Sequence, residues 1–506
     1  MALAALHEAF VRSGTPRSLE EFAPALERRL GEAADPDMAL TNLLRFVEAS
    51  VSRSALFSDL LVYPPLFDLL LMVFGSSMYL SDILVREPGL FRWLSTSDAL
   101  RRGPSAQELC QETTRIGSTF RDAGRKIDAL RRLHRREILR IGARDLAGGA
   151  GLRETTRDLS AVADAVIDGV YQFVRADLEA RYGIVQAPPF AIVGLGKLGG
   201  NELNYSSDVD LLFVYEREGE LIRTDGRTMS CEEFFNRLGE QLVVRLSEQS
   251  PEGTLYRVDM RLRPEAGAGP LARSLQGYLL YYEARGELWE RQMLLKARVV
   301  GGDRALGAAL LDKLVPFVYP RSFLLHPAEY VARIKARIEA SAADPGDVKL
   351  MRGGIRDVEF TVQTIQLLAA GRNPALRTGN TLEAVDRLVQ QRELGVNEGE
   401  ALRRAYELFR VLEHRLQTQL NTQTHTLPDH LQGRTILARL AGFPDAAQLE
   451  EGIAGAAAAV RAVFDRVLTV PEEPTRSGMQ AMLEGGAGED EVASLLASMG
   501  VTASLA

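Results

Sequence analysis

The hydrophobic pattern divides the chain into helical and extended stretches. From the N-terminus to about residue 147, apolar residues recur three or four positions apart. This spacing predicts an all-helical first region, because such residues share one face of an α-helix. The interruptions are Pro64-Pro65, Gly75, Pro88-Gly89 and Gly103-Pro104. A further periodic run over 153–181, closed by Gly183, predicts one long helix.

Extended patterns are confined to the middle of the chain. The stretches 190–193, 208–215 and 255–263 read as β-strands and are separated by glycine-rich or helical segments. Beyond about residue 305 the helical period returns. Its clearest stripe is Leu402, Tyr406, Phe409, Leu412, Leu416 and Leu420. The pattern predicts an α+β fold that is predominantly α.

The predicted organisation has four parts. They are an N-terminal helical region over 1–147, a core with the sheet over 148–305, a helical bundle over 306–470, and an acidic Gly/Pro-containing tail or linker over 471–506 with a weak helix at 491–499. At roughly 100–200 residues per domain, the length agrees with about three structural units.

Composition and charge narrow the classes of function. The chain has 506 residues, Lys+Arg 60, Asp+Glu 68, a net charge of -8 and 46% hydrophobic residues. This composition excludes overall disorder. No Lys/Arg tract accompanies the negative charge, so we expect no nucleic-acid partner, because that binding needs a basic face.

Cysteine usage and the termini favour a cytoplasmic protein. The cysteines, Cys110 and Cys231, lie far apart with no His/Cys cluster, so neither a zinc site nor a disulfide framework is indicated. The first residues lack the basic segment of a signal peptide. The most apolar stretch, 66–74, is far shorter than a membrane span. We therefore expect no export and no membrane partner.

A glycine-rich segment follows the first predicted strand. Gly194, Gly196 and Gly199 form a literal GxGxxG, the fingerprint of dinucleotide-binding folds, and Glu216 lies near the position of the ribose-binding acid. That fingerprint opens a helix of several apolar turns, whereas only the mostly polar residues 201–207 intervene here. The context disfavours dinucleotide binding.

Two acids open the second predicted strand. Asp208 and Asp210 stand two positions apart, so their carboxylates project from the same face. Mg²⁺ suits such a pair, because it prefers oxygen ligands and is usually completed by phosphates. The alternative is an exposed acidic pair at a turn. The upstream glycines, whose N–H groups can meet a phosphate, and the apolar run 211–214 favour the metal site.

The third predicted strand carries alternating residues. Its polar face holds Asp259, Arg261 and Arg263, and Val258, Met260 and Leu262 form the other face. A solvated edge strand would look the same. If this strand pairs with that of Asp208 and Asp210, it supplies a third acid flanked by phosphate-binding guanidiniums.

Two further clusters carry candidate residues. If Gly353-Gly354 opens a helix, a polar stripe of Arg352, Arg356, Glu359 and Gln363 lies opposite an apolar one, and the glycines would let the backbone approach an anion. A solvated helix face is the alternative. Lys296, on the same face as Gln292, is either a phosphate contact or a surface lysine. His425 and His430 lack metal-binding spacing and are expected to be structural.

These segments resemble a known family. Three acids on two strands and a glycine loop are the arrangement of the DNA polymerase beta-like nucleotidyltransferases. The segment GKLGGNELNYSSDVDL at 196–211 resembles the signature of the glutamine synthetase adenylyltransferase family. Similarity continues in VDMRLRP at 258–264, WERQMLLKAR at 289–298, KLMRGGIRDVEF at 349–360 and QTHTLP at 423–428. In the loop 263–270 this chain departs from the expected pattern.

The resemblance implies an activity, a site and partners. Family members carry two such halves, and this chain resembles the N-terminal, adenylyl-removing half, which releases AMP from a tyrosine of glutamine synthetase by phosphorolysis, with phosphate entering and ADP leaving. Catalytic and metal roles fall to Asp208, Asp210 and Asp259, with two Mg²⁺ ions. Phosphate and nucleotide contacts fall to Gly196, Lys197, Gly199, Gly200, Ser207, Arg261, Arg263, Lys296, Arg352 and Arg356.

The expected partners are glutamine synthetase, the signal-transduction protein PII in its uridylylated form, and ATP or ADP with phosphate. Two alternatives stay open at this point. One is the forward reaction, which adenylylates the tyrosine using ATP. The other is a non-catalytic module that binds nucleotide and partners.

Overall fold

A computed structural model of the chain describes residues 2–14, 19–96, 98–321, 333, 336 and 344–468. Most of them form one compact unit, Met1–Ser322 with Ala342–Phe464. A second unit, Phe323–Ser341 with Asp465–Ala506, falls almost wholly outside the described residues. The predicted tail 471–506 and its weak helix also lie outside them.

Ten helices precede the sheet in the described residues, which confirms the predicted helical first region and the long helix after it. They are α1 Ala2–Ser13, α2 Leu19–Glu32, α3 Pro36–Ala49, α4 Arg53–Val62, α5 Pro64–Ser76, α6 Met78–Arg86, α7 Gly89–Thr96, α8 Ala106–Thr119, α9 Ala123–Leu146 and α10 Leu152–Tyr182. Side chains of Asp35, Ser77 and Asp122 cap helix starts. Gly183 ends α10 with a left-handed φ of 64°.

The central sheet is mixed. Its strands are β1 Phe190–Gly194, β2 Val209–Tyr215, β5 Val258–Asp259, β6 Ala272–Ser274 and β7 Arg298–Gly302, and the order is β5-β2-β1-β7 with β6 also paired to β2. Strand β1 runs antiparallel to β2 and β7, and β2 runs parallel to β5 and β6. Strands β3 Glu220–Ile222 and β4 Thr228–Ser230 form a separate hairpin.

The strand predictions hold in part. Strands β1 and β2 are confirmed, and their antiparallel pairing excludes the parallel βαβ unit that dinucleotide binding needs. The predicted strand 255–263 is wrong beyond two residues, because the chain turns after Asp259. Strands β3, β4, β6 and β7 were not predicted, since runs of three to five residues leave little alternation to detect.

Helices cover the sheet and continue beyond it. The middle part contributes α11 Gly196–Gly199, α12 Cys231–Ser247, α13 Leu275–Arg285, α14 Leu288–Leu294 and α15 Arg304–Val318. After the undescribed segment come α16 Ile355–Ala369, α17 Thr381–Gln390, α18 Val396–Leu420, α19 Leu431–Leu440 and α20 Ala446–Val467. The stripe of α18 from Leu402 to Leu416 is buried as predicted.

In the described part of the chain, no single helix has the length and apolar composition of a membrane span, although the pair α4 and α5, bent by 110°, passes that test together.

Candidate active site

The register of the sheet brings the predicted acids together. Strands β2 and β5 pair in parallel, with Val209 opposite Val258 and Asp210 opposite Asp259. Asp208 immediately precedes β2. All residues of β2 except Asp210 are buried, and Asp210 is partly exposed. The assumption that placed Asp259 beside the first two acids, namely pairing of their strands in one sheet, is therefore confirmed.

Electrostatics at the acids reflect this proximity. Burial, together with the negative charges of Asp259 and Asp208, raises the pKa of Asp210 to about 6 against the opposing charges of Lys349 and Arg261. Hydrogen bonds from Arg261 hold the pKa of Asp259 below its usual range. The acid at the centre of the group is thus the one that most lacks a compensating cation.

Arginines neutralise the two outer acids. Arg257 Nε donates to Asp208 Oδ1 at 2.7 Å, and Arg261 Nη2 lies 2.5 Å from Asp259 Oδ2. Arg261 does not lie beside Asp259 on the face of a strand, as the alternation predicted. It reaches Asp259 because the chain turns after β5. Arg263 donates to the carbonyls of Met260 at 2.7 Å and Gly269 at 3.2 Å. Its guanidinium holds this loop, and its phosphate contact stays a prediction.

The glycine turn lies against the central acid. Gly196 has φ +52°, and a Cβ there would come within 2.7 Å of Asp210 Oδ2. The backbone N–H of Leu195 donates to the carbonyl of Asp210 at 2.9 Å. A glycine at 196 therefore leaves the space beside the carboxylate open. Ser207, at the other end of the loop, accepts from the N–H of Asn204 at 3.4 Å.

Gly199 and Gly200 lie where the glycine turn packs closely against neighbouring backbone. Their N–H groups donate to the carbonyls of Leu195 and Gly196, within the turn. A Cβ on Gly199 would lie 1.9 Å from the carbonyl oxygen of Lys296, and one on Gly200 2.8 Å from that of Gly379. Both glycines permit close packing of backbones, and because their amides already donate within the turn, their phosphate contacts stay a prediction.

Two lysines of the site are buried in ion pairs. Lys197 Nζ donates to Glu413 Oε1 at 2.6 Å, and burial lowers the pKa of Lys197 to about 8. Lys296 Nζ donates to Glu202 at 2.9 Å and to Glu359 at 2.7 Å, and its side chain is 8% exposed. The surface-lysine alternative for Lys296 is therefore wrong, and its predicted phosphate contact competes with two carboxylates already bound.

The backbone N–H groups at the start of α16 already have partners within the protein. The N–H of Gly353 donates to Asp357 Oδ2 at 2.8 Å, and those of Ile355 and Arg356 donate to the carbonyls of Val348 and Lys349. The predicted helix is confirmed, but its first amides are already bonded, which removes the reason given for anion binding there.

The polar stripe of α16 mostly faces protein. Glu359 binds Lys296, and Gln363 accepts from Gln292 at 2.8 Å. Arg352 is exposed, whereas Arg356 donates to the carbonyl of Leu350 at 3.4 Å. The solvated-face alternative therefore fails for Glu359 and Gln363.

The loop before β5 is held by the first helical region. Arg131 of α9 lies 3.3 Å from a carboxylate oxygen of Glu248, and Arg135 lies 2.7 Å from one of Glu252. Tyr256 in the same loop packs edge-on against His134, with ring centroids 4.9 Å apart. This arginine clamp, Arg131 and Arg135 with Glu248 and Glu252, positions the segment that leads to Asp259.

Comparison with known proteins gives a consistent result. The model of the family "Glutamate-ammonia ligase adenylyltransferase" matches residues 67–313, and that of "GlnD PII-uridylyltransferase" matches 328–468. A Thioalkalivibrio sulfidiphilus protein named bifunctional glutamine synthetase adenylyltransferase/adenylyl-removing enzyme is 38% identical over 453 residues, covering 88% of this chain and 46% of that protein. One of the same name from Nitrosococcus oceani is 37% identical, covering 81% of this chain and 43% of its own length.

The chain belongs to the glutamine synthetase adenylyltransferase/adenylyl-removing enzyme family. The predicted resemblance and fold class are thereby confirmed. The chain spans about half the length of the curated relatives it matches, at 46% and 43%.

The acids of this family member fit a divalent cation in chemistry. They offer only carboxylate oxygens, the donors that Mg²⁺ prefers, and mutual repulsion helps raise the pKa of Asp210 to about 6. Their carboxylates do not converge on a common point, because Arg257 binds Asp208 and Arg261 binds Asp259. Accordingly, the described residues contain no group of three His, Cys, Asp or Glu side chains close enough to hold a metal.

Sequence reasoning missed several residues around the acids: Arg257, Glu202, Lys349 and Glu413. Glu413 is fully buried, and although burial raises its pKa, Lys197, His425 and Arg410 hold it well below the usual range. A signal was present, since Glu413 interrupts the apolar stripe of α18. The histidines expected to be structural do have protein partners: His425 Nδ1 lies 2.9 Å from Glu413, and His430 caps α19.

Proposed function

We propose that the chain removes AMP from an adenylylated tyrosine of glutamine synthetase by phosphorolysis, with phosphate entering and ADP leaving. The observation that carries the proposal is the parallel register that sets Asp259 opposite Asp210, with Asp208 alongside. The names of the relatives, which include an adenylyl-removing activity, support it.

Two sequence features favour removal over attachment of AMP. The segments 199–204 and 354–357 resemble the family's N-terminal, adenylyl-removing half. The proposed partners are glutamine synthetase and PII, and the match of 328–468 to a PII-uridylyltransferase family supports the link to PII. Such partners imply a cytoplasmic location.

The chain's own residues provide the framework for the reaction. Asp208, Asp210 and Asp259 would hold Mg²⁺, with two ions expected, and the bound metal supplies positive charge that offsets charge on the entering and leaving oxygens. Gly196 keeps the space at Asp210 open. An oxygen of phosphate attacks the AMP phosphorus, the bond to the tyrosine oxygen breaks, and the proton of hydrogen phosphate passes to the phenolate. The phenol's ordinary pKa of about 10 makes it a tolerable leaving group, so no covalent enzyme intermediate is needed.

The test is incubation with adenylylated glutamine synthetase, Mg²⁺ and ³²P-labelled phosphate. We expect release that depends on phosphate, with the label in the β-position of ADP, and no release by the Asp210→Asn variant. Unlabelled AMP as the product would indicate hydrolysis instead. Modification of unadenylylated glutamine synthetase by ATP, without phosphorolysis, would support the forward reaction. If the chain neither removes nor attaches AMP, the remaining alternative is a non-catalytic module that binds nucleotide and partners.

A further inference from the structure

Lys349 differs from the other two lysines near the acids because its ammonium group has no carboxylate partner among the described residues. Lys197 and Lys296 are bound to glutamates at 2.6 to 2.9 Å. For Lys349 the described residues offer no carboxylate within ion-pair distance, and its side chain is partly exposed. Its charge is therefore available to a ligand.

The backbone on both sides of Lys349 is fixed. Asp347, 8% exposed, accepts from the N–H groups of Lys349 at 2.8 Å and Leu350 at 3.0 Å. The carbonyl of Lys349 accepts from the N–H of Arg356 at 3.2 Å, and the buried Val348 donates to the carbonyl of His425 at 3.0 Å. The side chain thus extends from a rigid base, which lowers the entropic cost of binding a ligand.

This base is tied to the glycine turn. The His425 ring lies 2.9 Å from Glu413 Oε1, and the same oxygen accepts from Lys197 at 2.6 Å. The charge of Lys349 also lowers the pKa of Lys197, so the two groups are electrostatic neighbours. Lys197 follows Gly196, which borders the carboxylate of Asp210. Lys349 therefore lies beside the turn that borders the central acid, although the sequence places it more than a hundred residues downstream.

A doubly charged phosphate that approaches three carboxylates needs a cation without another partner. Arg257 and Arg261 are bound to Asp208 and Asp259. Arg356 donates to a backbone carbonyl, and Arg352 is exposed to solvent. We propose that Lys349 binds the incoming inorganic phosphate at this site. The assignment rests on the proposed function for the identity of the substrate, but phosphate binding can be measured separately from turnover.

The decisive comparison is between Lys349→Met, which removes the charge at similar length, and Lys349→Arg, which keeps it. Lys313→Met, at an exposed position on α15, is the matched control. Phosphate affinity is measured by titration calorimetry with Mg²⁺ present, and AMP is titrated in parallel. We expect Lys349→Met to weaken phosphate binding by about tenfold or more, as for a lost charge-assisted hydrogen bond. Lys349→Arg should restore binding, AMP affinity should not change, and Lys313→Met should match the parent.

The outcomes separate this assignment from the proposed function. Equal phosphate affinity in the parent and Lys349→Met, loss of AMP rather than phosphate affinity, or no phosphate binding by the parent would each overturn it. Thermal melts identify any variant that fails to fold, and if Lys349→Met does so, Lys349→Gln replaces it in the same titration. If the parent binds phosphate through Lys349 but forms no ADP, phosphorolysis fails and the assignment stands. If ADP forms and Lys349→Met keeps the parental phosphate KM, phosphorolysis stands and the assignment of Lys349 fails.

Discussion

Asp259 is the acid that the sheet supports least. Its strand is two residues long, and the chain turns immediately afterwards. Its carboxylate is held by Arg261, whose own side chain is 85% exposed. An exposed arginine moves at little cost, so Asp259 can exchange this partner for another cation.

We therefore expect Asp259→Asn to abolish most activity while the fold persists. The substitution keeps the size of the side chain but removes the charge opposite Asp210, and loss of one such electrostatic group costs about 10²–10³ in rate. Steady-state formation of ADP at saturating Mg²⁺ and phosphate measures the effect. Asp208→Asn and Asp210→Asn should be similarly impaired, and the Asp210→Asn protein should melt at or above the parental temperature because repulsion is relieved.

An exposed acid on α15, Asp312, provides the control as Asp312→Asn. Turnover of Asp259→Asn within a few-fold of this control would remove Asp259 from the site.

At this scale the sequence predicted the acids and not their partners. Spacing of two along a strand identifies Asp208 and Asp210, and a second polar face identifies Asp259. Glu413 and Lys349 lie far along the chain from the residues they influence, so no local pattern could show which residues they meet, even though Glu413 stands out in the apolar stripe of α18. Arg263 was placed on the polar face of a strand because the alternation was extended through a turn.

Among the elements, the single-turn helix α11 is the most constrained by its neighbours. Gly199 lies against the backbone of Lys296, which precedes β7, and against that of Gly194 in β1. Backbone atoms on two sides cannot rotate away as a side chain could. The glycine turn is therefore positioned by contact between strands as well as by its own conformation.

Gly199→Ala should destabilise the protein by about 1–3 kcal/mol, as overpacking of a filled site does. The new Cβ would meet carbonyl oxygens at 1.9 and 2.5 Å, so the turn must shift. Urea unfolding followed by circular dichroism measures the change. Gly455→Ala on α20, where nothing lies within 4 Å, should instead stabilise by about 0.5–1 kcal/mol. Equal stability of the two variants would contradict the packing argument.

The length of an element determined whether the sequence could predict it. The long helices α10 and α18 repeat their apolar spacing over many turns, and β2 carries an unbroken apolar run. Strand β7 and the hairpin β3–β4 are too short for a period, and their pairing comes from contacts made after the chain has folded.

Across the whole molecule, buried polar groups connect the helical regions to the sheet. Glu202 of the glycine-turn segment shares Lys296 with Glu359 of α16, and Glu413 of α18 binds Lys197. Breaking such a buried pair leaves an uncompensated charge, which is strongly destabilising. The first helical region adds His134, which is 7% exposed and packs on Tyr256.

His134 should make the fold sensitive to mild acid. Burial, and then the charge of Arg135, lower the pKa of His134 to about 4, from 6.5 in the unfolded chain. The unfolded state therefore binds more protons between these values. The stabilising contribution of the neutral His134 is complete above pH 6.5 and is lost as the pH falls toward 4. By pH 5 the free energy of unfolding has fallen by ~2 kcal/mol.

Urea unfolding of the parent and of His134→Phe at pH 7.5 and pH 5 isolates this contribution. The variant keeps an aromatic ring without a titrating group, so its stability should depend less on pH over this interval. The same loss of stability in both proteins would show that His134 does not titrate as argued.

The arginine clamp has a consequence for how the sequence can diverge. Loss of an arginine of α9 leaves Glu248 or Glu252 to the more exposed arginines Arg245, Arg86 and Arg132. Loss of a glutamate leaves the poorly exposed Arg131 or Arg135 with Asp128 or the more distant Glu87, and so reduces the charge that compensates it. Substitutions tolerated on one side should therefore accompany substitutions on the other. Across relatives, α9 and the loop before β5 are expected to covary, so that two segments more than a hundred residues apart are inherited as one unit.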